Sequence, residues 1–271
     1  MMQQGDFSNV AKHYHNRPAY SAILLEKLIA CINDSAKPRN ALQVVEVGAG
    51  TGKLTKMLAN FGLRTLAIEP NDNMREEGIK YTQNTSIQWQ KGSGEQTGVP
   101  SDFADWVIMA SSFHWTDPSK SLPEFARILK DGGYFTAMWN PRNLVAGSVF
   151  AEIEDEIKRI VPELSRVSSG SQNTKNWNEI LVSTGDFTDC IFMECDYVEM
   201  MDKARYMGAW HSVNDIQAQA GEARWQQILA MIESKIADMQ IVEIPYKIRA
   251  WSVQKKTKDR WIPPLPLPPP S

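Results

Sequence analysis

Residues 44–54, VVEVGAGTGKL, constrain the fold of this chain more than any other stretch. A run rich in β-branched residues gives way to Gly48, Gly50 and Gly52, and an amphipathic segment starts at Lys53. Strand, tight turn and helix in that order open a βα unit, with glycine letting the backbone turn and approach a ligand without an intervening Cβ. Further short apolar runs, at residues 65–69, 87–90, 105–110 and 134–139, alternate with segments of helical spacing at 53–60, 73–81 and 119–129. This alternation predicts repeated βα units, a mostly parallel sheet and helices on both of its faces. Asp131, Gly132 and Gly133 are expected to supply the left-handed stop after the last of these helices.

Beyond Asn140 the pattern loosens. Helices are expected at 150–160, 177–183 and 222–239, with strands at 187–198 and 241–252. These strands would complete the sheet and these helices would form an insertion over its edge. The final stretch, RWIPPLPLPPPS, is too proline-dense for a packed element and reads as an extended tail. The resulting division is an N-terminal helical arm at 1–40, a nucleotide-binding core at 41–142, a cap with the last strands at 143–260, and a tail at 261–271.

The charge around the glycine turn narrows the ligand. Glu69 ends the second strand about 20 residues after the turn, where a carboxylate accepts from ribose hydroxyls. A dinucleotide fingerprint would need glycine or alanine where Lys53 stands, and a phosphate-cradling loop would need glycine at Val47 and Ser or Thr at Leu54. Both fail. Glu46, just before the glycines, would repel a pyrophosphate but suits a ligand with a sulfonium and an ammonium. The expected cofactor is therefore S-adenosyl-L-methionine.

With a formal net charge of -3 the chain lacks a global cationic field, so nucleic acid is disfavoured as a partner. No run of about 18 apolar residues is present, which disfavours a membrane span. Cys31, Cys190 and Cys195 form no CxxC pair, and no leader pattern opens the sequence. A reduced, cytoplasmic location is expected. His13, His15 and His211 have no ligand spacing with an acid or thiol, so no metal is expected. Oligomeric state is left open.

Residues 42–142 resemble the core of the class I methyltransferases, and more narrowly the type-11 small-molecule family that includes trans-aconitate methyltransferase-like enzymes. The resemblance implies an α/β, Rossmann-like fold with a mostly parallel seven-stranded sheet, flanking helices and a helical cap. It implies that Glu46, Gly48, Gly50 and Glu69 hold the donor and that Met74 packs on adenine. KGSGEQTGVP resembles the segment after the third strand, which would put Ser93, Gly94 and Glu95 on the adenine side. MASSFHWTD resembles the fourth-strand end, which would put Ala110 beside the methionine part. YHNRPAY resembles an arm whose Tyr14, Arg17 and Tyr20 close over the cofactor, and WHSVNDIQAQAGEARWQQIL and IVEIPYKIRAW extend the likeness towards the end of the chain.

The implied activity is methyl transfer to an O, N or C nucleophile of a small molecule. A non-catalytic donor-binding protein and an RNA-modifying enzyme are the alternatives. His114 is the candidate catalytic residue, since an imidazole with a near-neutral pKa can take a proton from a hydroxyl or amine. It could equally line the pocket. Trp115, Trp139 and Arg142, at the ends of the fourth and fifth strands, are the candidate substrate residues.

Overall fold

The computed structural model describes residues 11–33, 37–165 and 175–257, so the proline-rich tail lies outside the described residues. Seven strands form one sheet: β1 (Gln43–Val47), β2 (Arg64–Ile68), β3 (Gln88–Gln90), β4 (Ala104–Ala110), β5 (Leu129–Trp139), β6 (Phe187–Met201) and β7 (Val242–Lys255). Their order is β3-β2-β1-β4-β5-β7-β6, with β7 antiparallel to both of its neighbours and the rest parallel. Strand order reverses between β1 and β4, and open α/β sheets bind ligands beyond the carboxyl ends of strands at such a switch point.

Alternation along the strands builds two cores. Val44, Trp106, Ile108, Tyr134 and Met138 face α1 (Ala22–Ile32) and α2 (Lys53–Asn60), where Leu25, Leu28, Leu54 and Leu58 meet them. Val45, Val107, Phe135, Ala137 and Trp139 face the other way, against Leu122 and Phe125 of α4 (Pro118–Ile128) and Trp177 and Leu181 of α6 (Trp177–Val182). Helices cover both faces, and α3 (Asp72–Tyr81) follows β2.

A third core belongs to the cap. There α5 (Val149–Ile160), α7 (Lys203–His211) and α8 (Asn214–Lys235) pack Ile153, Ile157, Trp210, Ile228 and Ile232 against Val242 and Ile244. In the described residues α6 therefore belongs to the sheet layer, and the expected insertion over the edge reduces to α5, α7 and α8.

Three local expectations change. The helix expected to run to Leu129 ends at Ile128, and residues 129–133 already belong to β5. Gly132, at φ +74°, lies in the irregular part of that strand, where four residues of β5 separate the partners of Ala104 and Trp106. The strand assignment follows from Leu129 pairing with Ala104, which draws the chain into the sheet before the glycines. Second, α8 starts at Asn214, but Gly221 breaks it at φ 72°, ψ 166°, so the helix expected from residue 222 is its second half. Third, α7 was not anticipated; Asp202 caps it by accepting from the Arg205 N–H at 2.7 Å.

Candidate active site

The turn after β1 is built by glycine at positions other residues resist. Gly48 and Gly50 sit at φ +70° and +57°, and a Cβ on Gly48 would come within 2.7 Å of Ser112 Oγ. Backbone N–H groups of Gly48 and Ala49 both donate to the Ile68 carbonyl, at 2.8 and 3.0 Å, tying the turn to the end of β2. Gly50 then donates its N–H to Glu69 Oε2 at 2.8 Å, and Asn71 donates to Oε1 at 2.9 Å. Each carboxylate oxygen thus has one lone pair engaged by backbone and one left for a ligand.

Asn71 has a second role. Its side chain accepts from the Met74 N–H at 3.0 Å and caps α3, which seats Met74 beside the turn. The Met74 methyl lies 3.3 Å from where a Cβ on Gly50 would be, so that glycine keeps open the space between turn and thioether.

Glu46 faces α2, where Thr55 Oγ1 donates to its Oε2 at 2.6 Å. Only 3% of Glu46 is exposed. Burial pushes its carboxyl up to about 8; the Thr55 hydrogen bond opposes this and the nearby Glu69 charge adds to it. Burial also raises Glu69, against the backbone donors and Arg75. Two buried acids with raised pKa values in one wall favour a cationic ligand.

Glu46, the glycine turn, Glu69, Asn71 and Met74 border one cavity of about 700 Å³ at the switch point. Its walls include Tyr14, Arg17, Tyr20, Glu46, Gly48, Gly50, Glu69, Met74, Ser93, Gly94, Glu95, Ala110, His114, Trp115 and Arg142. The structure brings together every candidate residue except Trp139. Trp139 is 1% exposed and stacks on Trp177 with ring centroids 4.4 Å apart, so it belongs to the core behind the cavity. Strand alternation accounts for this, because Trp139 shares its face with Phe135 and Ala137. Glu95 also has a local task, accepting from the Asp117 N–H at 2.9 Å at the start of α4.

The arm covers the end of the cavity beside the glycine turn. Residues 11–16 form a 3-10 turn, Lys53 Nζ donates to the His15 carbonyl at 2.8 Å, and the Arg17 guanidinium lies 5.0 Å from the Tyr14 ring. Arg17 donates to Ser212 Oγ and to the Ser212 carbonyl at 2.5 and 2.9 Å. The Ala19 N–H donates to Glu199 Oε2 at 3.0 Å, and Glu199 pairs with Arg205 of α7 at 2.5 Å. The arm is thereby joined to the cap as well as to the glycine turn.

Beyond β4 the backbone is strained. Ser111 adopts φ 55°, a conformation that costs a non-glycine residue roughly 1–3 kcal/mol. Its hydroxyl donates to Asn140 Oδ1 at 3.1 Å and meets Tyr20 OH at 3.4 Å, joining arm, β4 and β5. The far end holds Arg142, which pairs with Glu154 at 2.9 Å and lies 4.1 Å from the Trp210 ring. Tyr246 of β7, Asn214 and Asp215 border the same end. Sequence reasoning did not select Ser111, Glu154, Asn214, Asp215 or Tyr246. The position of Ser111, directly after a strand that enters the sheet's switch point, was the one available signal.

His114 stands between the two ends, in a short 3-10 turn after β4. Its Nδ1 accepts from Trp139 Nε1 at 3.1 Å, and its ring lies 5.0 Å from that of Trp115. Burial, with the charge of Lys175 adding to it, pushes the imidazole down to about 4.

Residues 45–137 match the family model of a methyltransferase domain. An uncharacterized methyltransferase of Mycobacterium tuberculosis is 31% identical over 137 residues, which are 50% of this chain and 52% of that protein. The chain thus aligns with about half the length of this relative. Among solved structures, a protein of Anaeromyxobacter dehalogenans provisionally assigned as a type II methyltransferase superimposes with a TM-score of 0.62 at 17% identity, covering 87% of this chain and 97% of the other. A Haemonchus contortus phosphoethanolamine N-methyltransferase, in complex with phosphomonomethylethanolamine and S-adenosylhomocysteine, gives 0.52 at 14% identity, covering 92% of this chain and 58% of the other. At these identities the likeness is one of fold.

Proposed function

We propose that this chain is a class I S-adenosylmethionine-dependent methyltransferase that transfers a methyl group to a small polar molecule bound between His114 and Arg142. The observation that carries the reading is the Gly50–Glu69 clamp beside the buried Glu46, a wall with two acids and no phosphate cradle. In this arrangement Glu69 takes the ribose hydroxyls and Glu46 the amino-acid ammonium. Met74 and residues 93–95 border the adenine, and Ala110 lies near the methionine portion. That the same fold carries S-adenosylhomocysteine in the Haemonchus enzyme supports the choice of donor.

The acceptor's size follows from the space. A cavity of about 700 Å³ lies within the range of small-ligand pockets, and a donor of nucleoside-plus-amino-acid size occupies a large part of it. What remains is lined by Trp115, Leu144, Arg142, Glu154 and Tyr246, so a compact molecule with polar ends fits best. Alignment of nucleophile with methyl group then supplies most of the rate. Calorimetry with S-adenosylhomocysteine tests the donor site, and a methyl-transfer assay over a metabolite panel, read as S-adenosylhomocysteine formed, tests the activity. A folded protein that binds no S-adenosylhomocysteine would overturn the proposal.

A further inference from the structure

We infer that Trp139 is a positioning residue that holds His114 as its Nε2–H tautomer, so that His114 presents a hydrogen-bond donor to the methyl acceptor instead of removing its proton. The inference rests on the cavity being the methyl-transfer site proposed above, but its physical core is a contact between two side chains. Trp139 Nε1 can only donate, and it meets His114 Nδ1 at 3.1 Å. A nitrogen that accepts carries no hydrogen. In the neutral ring the single hydrogen is therefore on Nε2.

Trp139 has little freedom to yield. It is buried, stacked on Trp177 at 4.4 Å and met edge-on by Trp251 at 5.6 Å. For Nε2 to act as a proton acceptor, the ring's hydrogen would first have to move to Nδ1 and face the indole N–H, leaving two buried donors opposed and unpaired. Proton uptake at Nε2 from the present tautomer is excluded because that nitrogen already carries its hydrogen. The charged imidazolium would meet the same opposed donor, and burial disfavours it further.

The consequence concerns the acceptor. The group facing His114 must offer a lone pair, and any proton the nucleophile loses passes to solvent water instead of to His114. During transfer the carbon–sulfur bond breaks as the bond to the nucleophile forms, and its electron pair stays on sulfur. His114 takes no part in that electron flow; it orients the molecule that attacks.

The test is a nitrogen-15 correlation spectrum of histidine-labelled protein, recorded with and without S-adenosylhomocysteine. The chain has four histidines, and His114→Gln identifies the signal of interest by its loss. That signal is expected to show a protonated Nε2 and an unprotonated Nδ1, unchanged from about pH 5.5 to 8. Trp139→Phe, which removes the N–H and keeps a ring, should give a tautomer mixture. A His114 signal with Nδ1 protonated, or charged near neutrality, would overturn the inference, as would a tautomer unaffected by Trp139→Phe in a folded protein. Calorimetry on the wild type separates the two readings: lost S-adenosylhomocysteine binding defeats the proposed function, whereas the tautomer is decided by the spectrum alone.

Discussion

Thr55 donates its hydroxyl to the Glu46 carboxyl at 2.6 Å, and this bond opposes the burial that has pushed the acid up to about 8. The folded-state pKa exceeds the ordinary Glu value near 4.3, so the unfolded chain releases this proton first as pH rises. The contribution of Glu46 to stability is thus full below about pH 4.3 and declines up to about 8. Glu46→Gln should melt higher than wild type, with a gap that widens by several degrees between about pH 5 and 8, at roughly 2–4 °C per kcal/mol. Thermal melts of the ligand-free protein across that range check it; a gap that narrows with pH would contradict the assignment.

Binding of a donor that carries an ammonium should reverse the preference of Glu46, because an adjacent positive charge favours the carboxylate. Near neutral pH, S-adenosylhomocysteine binding should release a proton and tighten as pH rises towards 8. Calorimetry in buffers of different ionisation enthalpy measures the proton directly, and Glu46→Gln should abolish its release.

Glu69→Ala removes the acceptor that pins the Gly50 and Asn71 N–H groups and, in the proposed function, the acceptor for the ribose. Loss of hydrogen bonds to a charged group costs about 1.5–3 kcal/mol, so S-adenosylhomocysteine affinity should fall roughly tenfold to a hundredfold. Gly50→Val should be at least as damaging, since it places a branched side chain at φ +57° against Met74. Unchanged affinity in folded variants would remove the clamp from the donor site.

The arm makes a kinetic prediction. Glu199 accepts from the Ala19 N–H and pairs with Arg205, so Glu199→Gln should loosen the arm without touching the cavity wall. The dissociation rate of S-adenosylhomocysteine should rise several-fold with little change in association, as interface changes act mostly on release. Stopped-flow displacement reads both rates.

Arg142 and Glu154 should behave as a coupled pair. Arg142→Ala strands Glu154 beside the cavity, and the expected loss of stability lies below the about 3–5 kcal/mol of a fully buried pair because part of both side chains reaches solvent. The double variant Arg142→Met, Glu154→Gln should recover part of that loss, as chemical denaturation would show, while donor affinity stays within about twofold.

The glycine-turn end of the cavity was legible in the sequence because it is local. Glu46, Gly48 and Gly50 fall within five consecutive residues, and Glu69 follows at the end of the next strand, so strand–turn–helix chemistry places all four without knowledge of the rest. The far end draws Arg142 from the end of β5, Glu154 from α5, Asn214 from the start of α8 and Tyr246 from β7, and no period in the sequence links residues so far apart. Trp139 was placed on the cavity by proximity to the strand's end, although alternation from Phe135 and Ala137 assigns it to the core. Lys203–His211 was not recognised as a helix because Gly208 and a mixed apolar spacing mask its period.

The position of β7 carries a consequence for how the protein is made. Its pairs with β5 join residues 134–139 to 249–254, and the bridge from Arg142 to Tyr246 lies at the cavity. On a ribosome, β5 emerges with its outer edge unpaired and stays so while more than a hundred further residues are added. The half that carries the glycine turn can assemble early, but the chamber wall supplied by Tyr246 arrives last. Nascent chains halted before residue 242 should therefore capture S-adenosylhomocysteine weakly or not at all, and chaperone occupancy should peak while that edge waits for its partner.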